Sequence, residues 1–318
     1  MRRAGIVGAG TMGAAIAELL AFNGIDVVLK DVDAERVALG LTKVKGLVDE
    51  LVAFHAGRSE REIGRIRELG VDLSEEQRTT LRARLAPRVS SSDGERIVGR
   101  VHGTTDWGAF SSVDLALEAV YEDLPTKRAV LTELDRVVPP DRPIATNTSS
   151  LSVSRLARGL AHVREVVGVH FFNPPSALPL VEVVAGLDTR EDLVNDTVDW
   201  LQGLRNHRSA LLPIRVRESP AFVVNRILAP VLNEAGFALD EGLASAREID
   251  LAMKAGAGFP MGPFELADLI GLDVALAVTE TLLRETGDPK YRPSQSLKRR
   301  VEAGHLGRKS GRGFYEYP

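Results

Sequence analysis

The sequence predicts an α/β fold: a doubly wound sheet with a helical hairpin insertion, followed by an all-α C-terminal domain. Three observations carry this. A strand, a glycine loop, a helix and a second strand follow one another between Gly5 and Asp31. Strand-like apolar runs then alternate with helical segments as far as residue 217, which gives a largely parallel sheet with helices on both faces. Beyond Pro220 the apolar residues recur at helical spacing and no strand signal is left. The domains therefore read as 1–217 and 218–318, with the hairpin over about 34–87.

The first unit is the most specific. Ile6-Val7 is a short apolar strand, Gly8-Ala9-Gly10-Thr11-Met12-Gly13 a tight loop, and the Ala/Leu-rich segment after it a helix. Asp26-Val27-Val28-Leu29 closes the unit, and Asp31 follows its carboxyl end. This is the Rossmann-type dinucleotide pattern. Gly8 permits the sharp turn, Gly10 lets the backbone approach a pyrophosphate, and Gly13 lets helix and strand pack closely. Backbone N–H groups at the helix start attract the phosphate charge. Asp31 is placed to accept hydrogen bonds from the adenosine ribose and would repel a 2′-phosphate, so NAD is expected rather than NADP. FAD on a similar unit and a glycine-rich turn without nucleotide are the alternatives. Asp33 rivals Asp31 but fits better as the cap of the next helix.

From 34 to 85 the pattern is helical and heavily charged, with Leu39, Val44, Leu47, Val48, Leu51 and Val52 as an apolar stripe. Ser74 opens a second helical piece, and the mixed charges over 58–69 read as a solvated helix face. After Pro87 the chain reads as a loop through 90–94. Strands are expected over 113–120, 143–145, 166–171, 180–184 and near 214–216, with helices over 125–138 and 190–204. The helical domain starts near Ser219, with helices at 222–239, 246–255, 263–269, 272–284 and 295–303. Its long first helix carries more apolar surface than so small a domain can bury, which predicts a homodimer.

Composition narrows the class. With 318 residues, 44% hydrophobic and 26% charged, the chain has the profile of an ordinary globular protein. A net charge of −4 argues against a general nucleic-acid surface. The absence of cysteine excludes disulfides and thiolate metal sites and fits a reducing cytoplasm; no metal is expected. The first residues lead straight into a strand, which leaves no room for a signal peptide, and no apolar run is long enough to cross a bilayer. A cytoplasmic location follows as the expectation.

Of the six histidines, five lie in charged or irregular segments or near helix ends. His170 instead ends the strand Val166-Val167-Gly168-Val169 and precedes a turn, Phe171-Phe172-Asn173-Pro174-Pro175. Ligands of open α/β sheets bind outside the carboxyl ends of strands, so His170 points toward the expected nicotinamide position. Glu182, among Leu180, Val181, Val183 and Val184, reads as a carboxylate in a buried strand, where it needs a partner. An imidazole on the neighbouring strand would serve, and the pair would act as a base with its orienting carboxylate. A backbone donor or an arginine is the alternative partner. Asn147-Thr148-Ser149-Ser150 follows another strand and opens toward the same rim, or caps the next helix.

These residues lie within longer blocks. GAGTMG, ATNTSSL, GVHFFNPP, LPLVEVV, SPAFVVNRI, AGAGFPMGPFELADLIGLD and GRKSGRGFYEY stand in an order and spacing that resemble the 3-hydroxyacyl-CoA dehydrogenase family, from the first strand to the last residues. The resemblance implies NAD-dependent interconversion of 3-hydroxyacyl and 3-oxoacyl coenzyme A, with short-chain, 3-hydroxybutyryl-CoA-like substrates. It implies His170 as the base, Glu182 as its partner, and Ser149 and Asn225 as hydrogen-bond donors to the reacting oxygen. It further implies that Glu122, Lys127 and Lys309 contact the cofactor; on local pattern alone, Glu122 and Lys127 read as an acidic helix start and a surface lysine. The chain departs from the family in a longer hairpin, in Ala221 where glycine is usual, in a short insertion over 205–212, and at Pro175 and Ser176. Rival readings are a dehydrogenase of a free 3-hydroxy acid or of a carrier-protein thioester, and a non-catalytic NAD-binding protein.

Overall fold

The computed structural model describes residues 1–318. It divides into two compact units, Met1–Thr148 with Val153–Arg215, and Ser149–Ser152 with Val216–Pro318.

The first unit opens with β1 (Arg3–Val7), α1 (Thr11–Phe22) and β2 (Asp26–Lys30). α2 (Ala34–Ala56), α3 (Arg58–Glu68), α4 (Glu75–Arg84), α5 (Ser91–Gly99) and β3 (Val101–Thr104) follow. Then come β4 (Leu115–Glu118), α6 (Leu124–Val137), β5 (Ile144–Thr146), α7 (Val153–Ala157) and β6 (Val166–Phe171). β7 (Leu180–Ala185), α8 (Glu191–Gln202) and β8 (Leu212–Arg217) complete the series. The sheet order is β3-β2-β1-β4-β5-β6-β7-β8. Pairing is parallel from β3 to β6 and antiparallel between β6 and β7. Strand order reverses between β1 and β4, and in such sheets the crevice at that point receives ligands. Every residue of β4 and β6 is buried, as strands covered on both faces are, and this includes Glu118 and His170.

The hairpin region differs from its sequence reading in two respects. Leu39, read into the apolar stripe, is exposed, and Val37 and Gly40 join Val44, Val48 and Leu51 on the buried face. The supposed loop after Pro87 is helix: Ser90 caps α5 by accepting from Asp93 N–H while the Asp93 side chain accepts from Ser90 N–H at 2.8 Å. β3 is a further strand that its sequence does not announce, and it exists by pairing with β2. Asp33 caps α2 through Arg36 N–H at 2.8 Å, and Ser74 caps α4. α3 and α4 bury no residue and are joined by the Arg82–Glu60 pair at 2.8 Å.

The second unit holds α9 (Val224–Asp240), α10 (Ala246–Ala257), α11 (Pro263–Ile270), α12 (Leu272–Thr286) and α13 (Gln295–Glu302). Two apolar clusters centre on Ala221, Leu282 and Tyr291 and on Ala267, Leu272 and Leu297. Two buried carboxylates staple the C-terminal segment. Asp250 accepts Phe264 N–H at 2.8 Å and the Tyr315 hydroxyl at 2.6 Å; Asp268 accepts Phe314 N–H at 2.9 Å and the Tyr317 hydroxyl at 3.0 Å. Burial and the bond to Asp250 push the Tyr315 hydroxyl far above the ordinary tyrosine range. The turn before α9 places Ala221 at φ 61° and Phe222 at φ 53°. Ala221 thus takes a backbone conformation that suits glycine, the residue usual in the resembling family.

Candidate active site

The glycine loop follows β1 directly. Gly8 has φ +106°, and a methyl group there would lie 2.6 Å from the Ala119 carbonyl just past β4. A methyl group on Gly13 would lie 1.7 Å from the Gly8 carbonyl, so α1 meets its loop at a distance only glycine permits. Gly10 is different. Nothing lies within 4 Å of a methyl group placed on it, and as the cap of α1 it offers no side-chain bond to the helix. The first turn of α1 has no acidic residue either. An open approach and uncapped N–H groups fit an anionic pyrophosphate. Thr11 faces outward while Met12 packs on the core.

Asp31 accepts Ala9 N–H at 2.8 Å and Val32 N–H at 2.7 Å, so its carboxylate is fixed against the loop after β1. Lys30, the neighbouring cation, turns away into the protein. It is 5% exposed, its ammonium donates to the Asp31 carbonyl at 3.1 Å, and it lies 4.3 Å from the centre of the Trp107 ring.

Past β4 the structure corrects two local readings. Lys127 is 1% exposed, not a surface lysine, and its ammonium donates to Glu118 Oε1 at 2.8 Å and to the Val120 carbonyl at 3.1 Å. Glu122 lies 3.4 Å from the same ammonium and accepts the Thr148 hydroxyl at 2.6 Å. It precedes α6, whose cap is Asp123, so it is not the helix start. Glu118, at the buried end of β4, also accepts Val120 N–H at 2.7 Å and the Thr146 hydroxyl at 2.7 Å. The segment 118–122 is therefore held from beneath by Lys127. Glu118 and Thr146 escaped the sequence reading. The signal for Glu118 was present, a carboxylate ending an apolar run just as Glu182 interrupts one.

His170 and Glu182 are opposite partners in the β6–β7 ladder. Directly opposed residues bring their side chains together. His170 Nδ1 lies 2.7 Å from Glu182 Oε2, and both residues are buried. Asn147 Oδ1 accepts Phe171 N–H at 2.9 Å, tying the end of β5 to the end of β6. Ser149 and Asn225 both fall in the second unit, Asn225 in the first turn of α9. Lys309, also in that unit, places its ammonium 2.5 and 2.6 Å from the two oxygens of Asp273.

Two further histidines hold carboxylates, which their sequence surroundings did not suggest: His162 with Asp135 at 2.9 Å and His207 with Glu18 at 2.8 Å. Position separates them from His170. His162 precedes β6, at the opposite edge of the sheet from its carboxyl end. Glu18 lies about 10 Å along α1 from the start of that helix. Only His170 combines a carboxylate partner with the carboxyl end of a sheet strand. Such a pair can hold an imidazole in one tautomer and stabilise its protonated form.

Comparison with known proteins agrees with this geometry. The profile described as "3-hydroxyacyl-CoA dehydrogenase, NAD binding domain" matches residues 3–73 and 70–216, and that described as "3-hydroxyacyl-CoA dehydrogenase, C-terminal domain" matches 222–317. A probable 3-hydroxybutyryl-CoA dehydrogenase of Deinococcus radiodurans is 38% identical over 313 residues, covering 98% of this chain and 99% of the relative. The 3-hydroxybutyryl-CoA dehydrogenase of Clostridioides difficile is 38% identical over 312 residues, covering 98% of each. The crystal structure of (S)-3-hydroxybutyryl-CoA dehydrogenase from Ralstonia eutropha superposes with a TM-score of 0.82 at 37% identity, covering 100% of this chain and 99% of that one. With both halves matched and relatives aligned over nearly their whole length, the chain belongs to the NAD-dependent 3-hydroxyacyl-CoA dehydrogenase family.

Proposed function

We propose that this chain interconverts a short-chain 3-hydroxyacyl-CoA and its 3-oxoacyl-CoA, with NAD(H) as the redox partner and 3-hydroxybutyryl-CoA as the nearest substrate type. The observation that carries the reading is the His170–Glu182 pair, buried at 2.7 Å on strands of the same sheet that begins with the glycine loop. When bound, the nicotinamide accepts a hydride from the substrate carbon or returns it. Gly8, Gly10 and Gly13, with Thr11 and Met12 between them, shape the loop that takes the pyrophosphate, and Asp31 takes the ribose hydroxyls. Glu122 serves the cofactor side, and buried Lys127 serves it by holding segment 118–122 in place. Lys309 takes part through its closing turn.

His170 removes the hydroxyl proton in the oxidative direction and returns it in the reductive one. With Nδ1 committed to Glu182, Nε2 is the ring nitrogen that handles the proton. Glu182 fixes that tautomer and offsets the charge of the imidazolium. Ser149 and Asn225 donate to the reacting oxygen, where negative charge builds when the carbonyl is reduced. A binding protein needs none of these four groups. A homodimer formed through the helical unit and a cytoplasmic location complete the reading; the first is supported by the apolar residues that unit leaves exposed, the second by the absence of cysteine.

The test is NADH oxidation with acetoacetyl-CoA, free acetoacetate and an acetoacetyl carrier protein compared at equal concentration. The coenzyme A thioester is expected to give the highest kcat/KM. A response to the free acid alone would overturn the substrate assignment while leaving the hydride chemistry standing.

A further inference from the structure

Asp31 accounts for repulsion of a 2′-phosphate, yet a lysine stands beside it. In a dinucleotide unit a cation at this position would attract the extra phosphate that the carboxylate repels. The structure shows what becomes of that cation. Lys30 ends β2 and pairs in register with Thr104 of β3. Three residues on, a short turn, Trp107–Ser112, begins. Its cap Asp106 accepts Gly108 N–H at 2.9 Å and donates its own N–H to the Thr104 hydroxyl at 3.0 Å. The turn is thus fixed to the strand that pairs with Lys30, and it sets the indole over the lysine, with the ammonium 4.3 Å from the ring centre. The same ammonium is tied to the Asp31 carbonyl at 3.1 Å, and the residue is 5% exposed. A buried cation on a tryptophan face is held more strongly than an exposed one.

We propose that Trp107 is a specificity-determining residue for the cofactor: by sequestering Lys30 beneath its ring, it withholds from the 2′-phosphate of NADP the cation next to Asp31 in the chain. Discrimination then has two parts, a carboxylate that repels and a lysine that is put away. This rests on the glycine loop and Asp31 binding the adenosine half of NAD. In this role Trp107 acts through Lys30, as a positioning residue.

A binding cycle tests it without recourse to turnover. Dissociation constants for NADH and NADPH are measured by nucleotide fluorescence on the wild type, Asp31→Ser, Trp107→Leu, the double variant, and the double variant carrying Lys30→Met. The wild type binds NADH and prefers it. Asp31→Ser alone narrows the preference. Adding Trp107→Leu releases the ammonium and tightens NADPH binding by a further ~10–100-fold, the worth of one hydrogen bond to a charged group, while NADH affinity stays that of Asp31→Ser. Lys30→Met abolishes the gain. Should Trp107→Leu fail to fold, Trp107→Phe keeps an aromatic ring with a weaker hold on the cation and gives an intermediate gain. No gain from either replacement, or a gain that survives Lys30→Met, overturns the proposal while NAD binding stands. Failure of the wild type to bind NADH overturns the cofactor reading and this inference with it.

Discussion

At the scale of single residues, the buried charges organise the first unit. His170 and Glu182 are legible in the sequence because a titratable residue inside or at the end of an apolar strand has few partners, and the neighbouring strand supplies them. Lys127 is not legible in the same way. Its helix carries polar and charged neighbours, and only the fold turns it onto Glu118. Breaking that pair leaves a carboxylate uncompensated in the interior, although Val120 N–H and the Thr146 hydroxyl still bind it. Lys127→Met is expected to destabilise the protein by about 3–5 kcal/mol, and Lys127→Met with Glu118→Gln by distinctly less. Urea unfolding of the two variants checks this; equal losses would mean that the lysine matters for packing alone.

At the scale of elements, most helices and apolar strands are legible, the three-residue β5 among them, while α5 and β3 are not. α5 hides in a run of Ser, Asp and Gly that looks like a loop, although Ser90 and Asp93 have the spacing of a capping box. β3 is Val101-His102-Gly103-Thr104, with a single apolar side chain and so no strand signal; tertiary pairing with β2 makes it a strand. Ala221 shows the reverse relation, a departure from the family's glycine whose positive φ no local pattern reveals.

The end of α2 yields a pH dependence. His55 Nδ1 is buried without a hydrogen-bond partner, and burial, with Arg58 and Arg88 nearby, holds the imidazole below the usual histidine value. The unfolded chain therefore takes up this proton first as the pH falls. The contribution of His55 is complete above the unfolded value of about 6.5 and is lost as the pH drops through it toward the lower folded value. His55→Gln should lessen the fall in unfolding midpoint between neutral and mildly acid pH. An unchanged slope would assign the acid sensitivity elsewhere.

At the scale of the whole molecule, each unit has its own core, and the helical unit leaves Ile227, Leu243, Leu251 and Leu269 exposed. The first unit exposes apolar side chains as well, Phe54, Leu69 and Leu187 among them, and those of the helical unit are the ones that support the proposed homodimer. Light scattering of the full chain at micromolar concentration should give twice the chain mass. Ile227→Glu with Leu251→Glu should shift it toward one. A wild type that is monomeric at that concentration would remove the homodimer from the account.

Transfer of a hydride and a proton by this chain is tested most directly at His170. Glutamine at this position keeps a similar volume and some hydrogen bonding but cannot take a full proton. NADH oxidation with acetoacetyl-CoA is measured for wild type, His170→Gln, Glu182→Gln and the double variant, with NADH affinity determined on each. Turnover is expected to fall about 10²–10⁴-fold for His170→Gln and less for Glu182→Gln, with the double variant little worse than His170→Gln alone and NADH affinity unchanged throughout. Turnover by His170→Gln close to that of the wild type, or loss of NADH binding together with turnover, would contradict this role of His170.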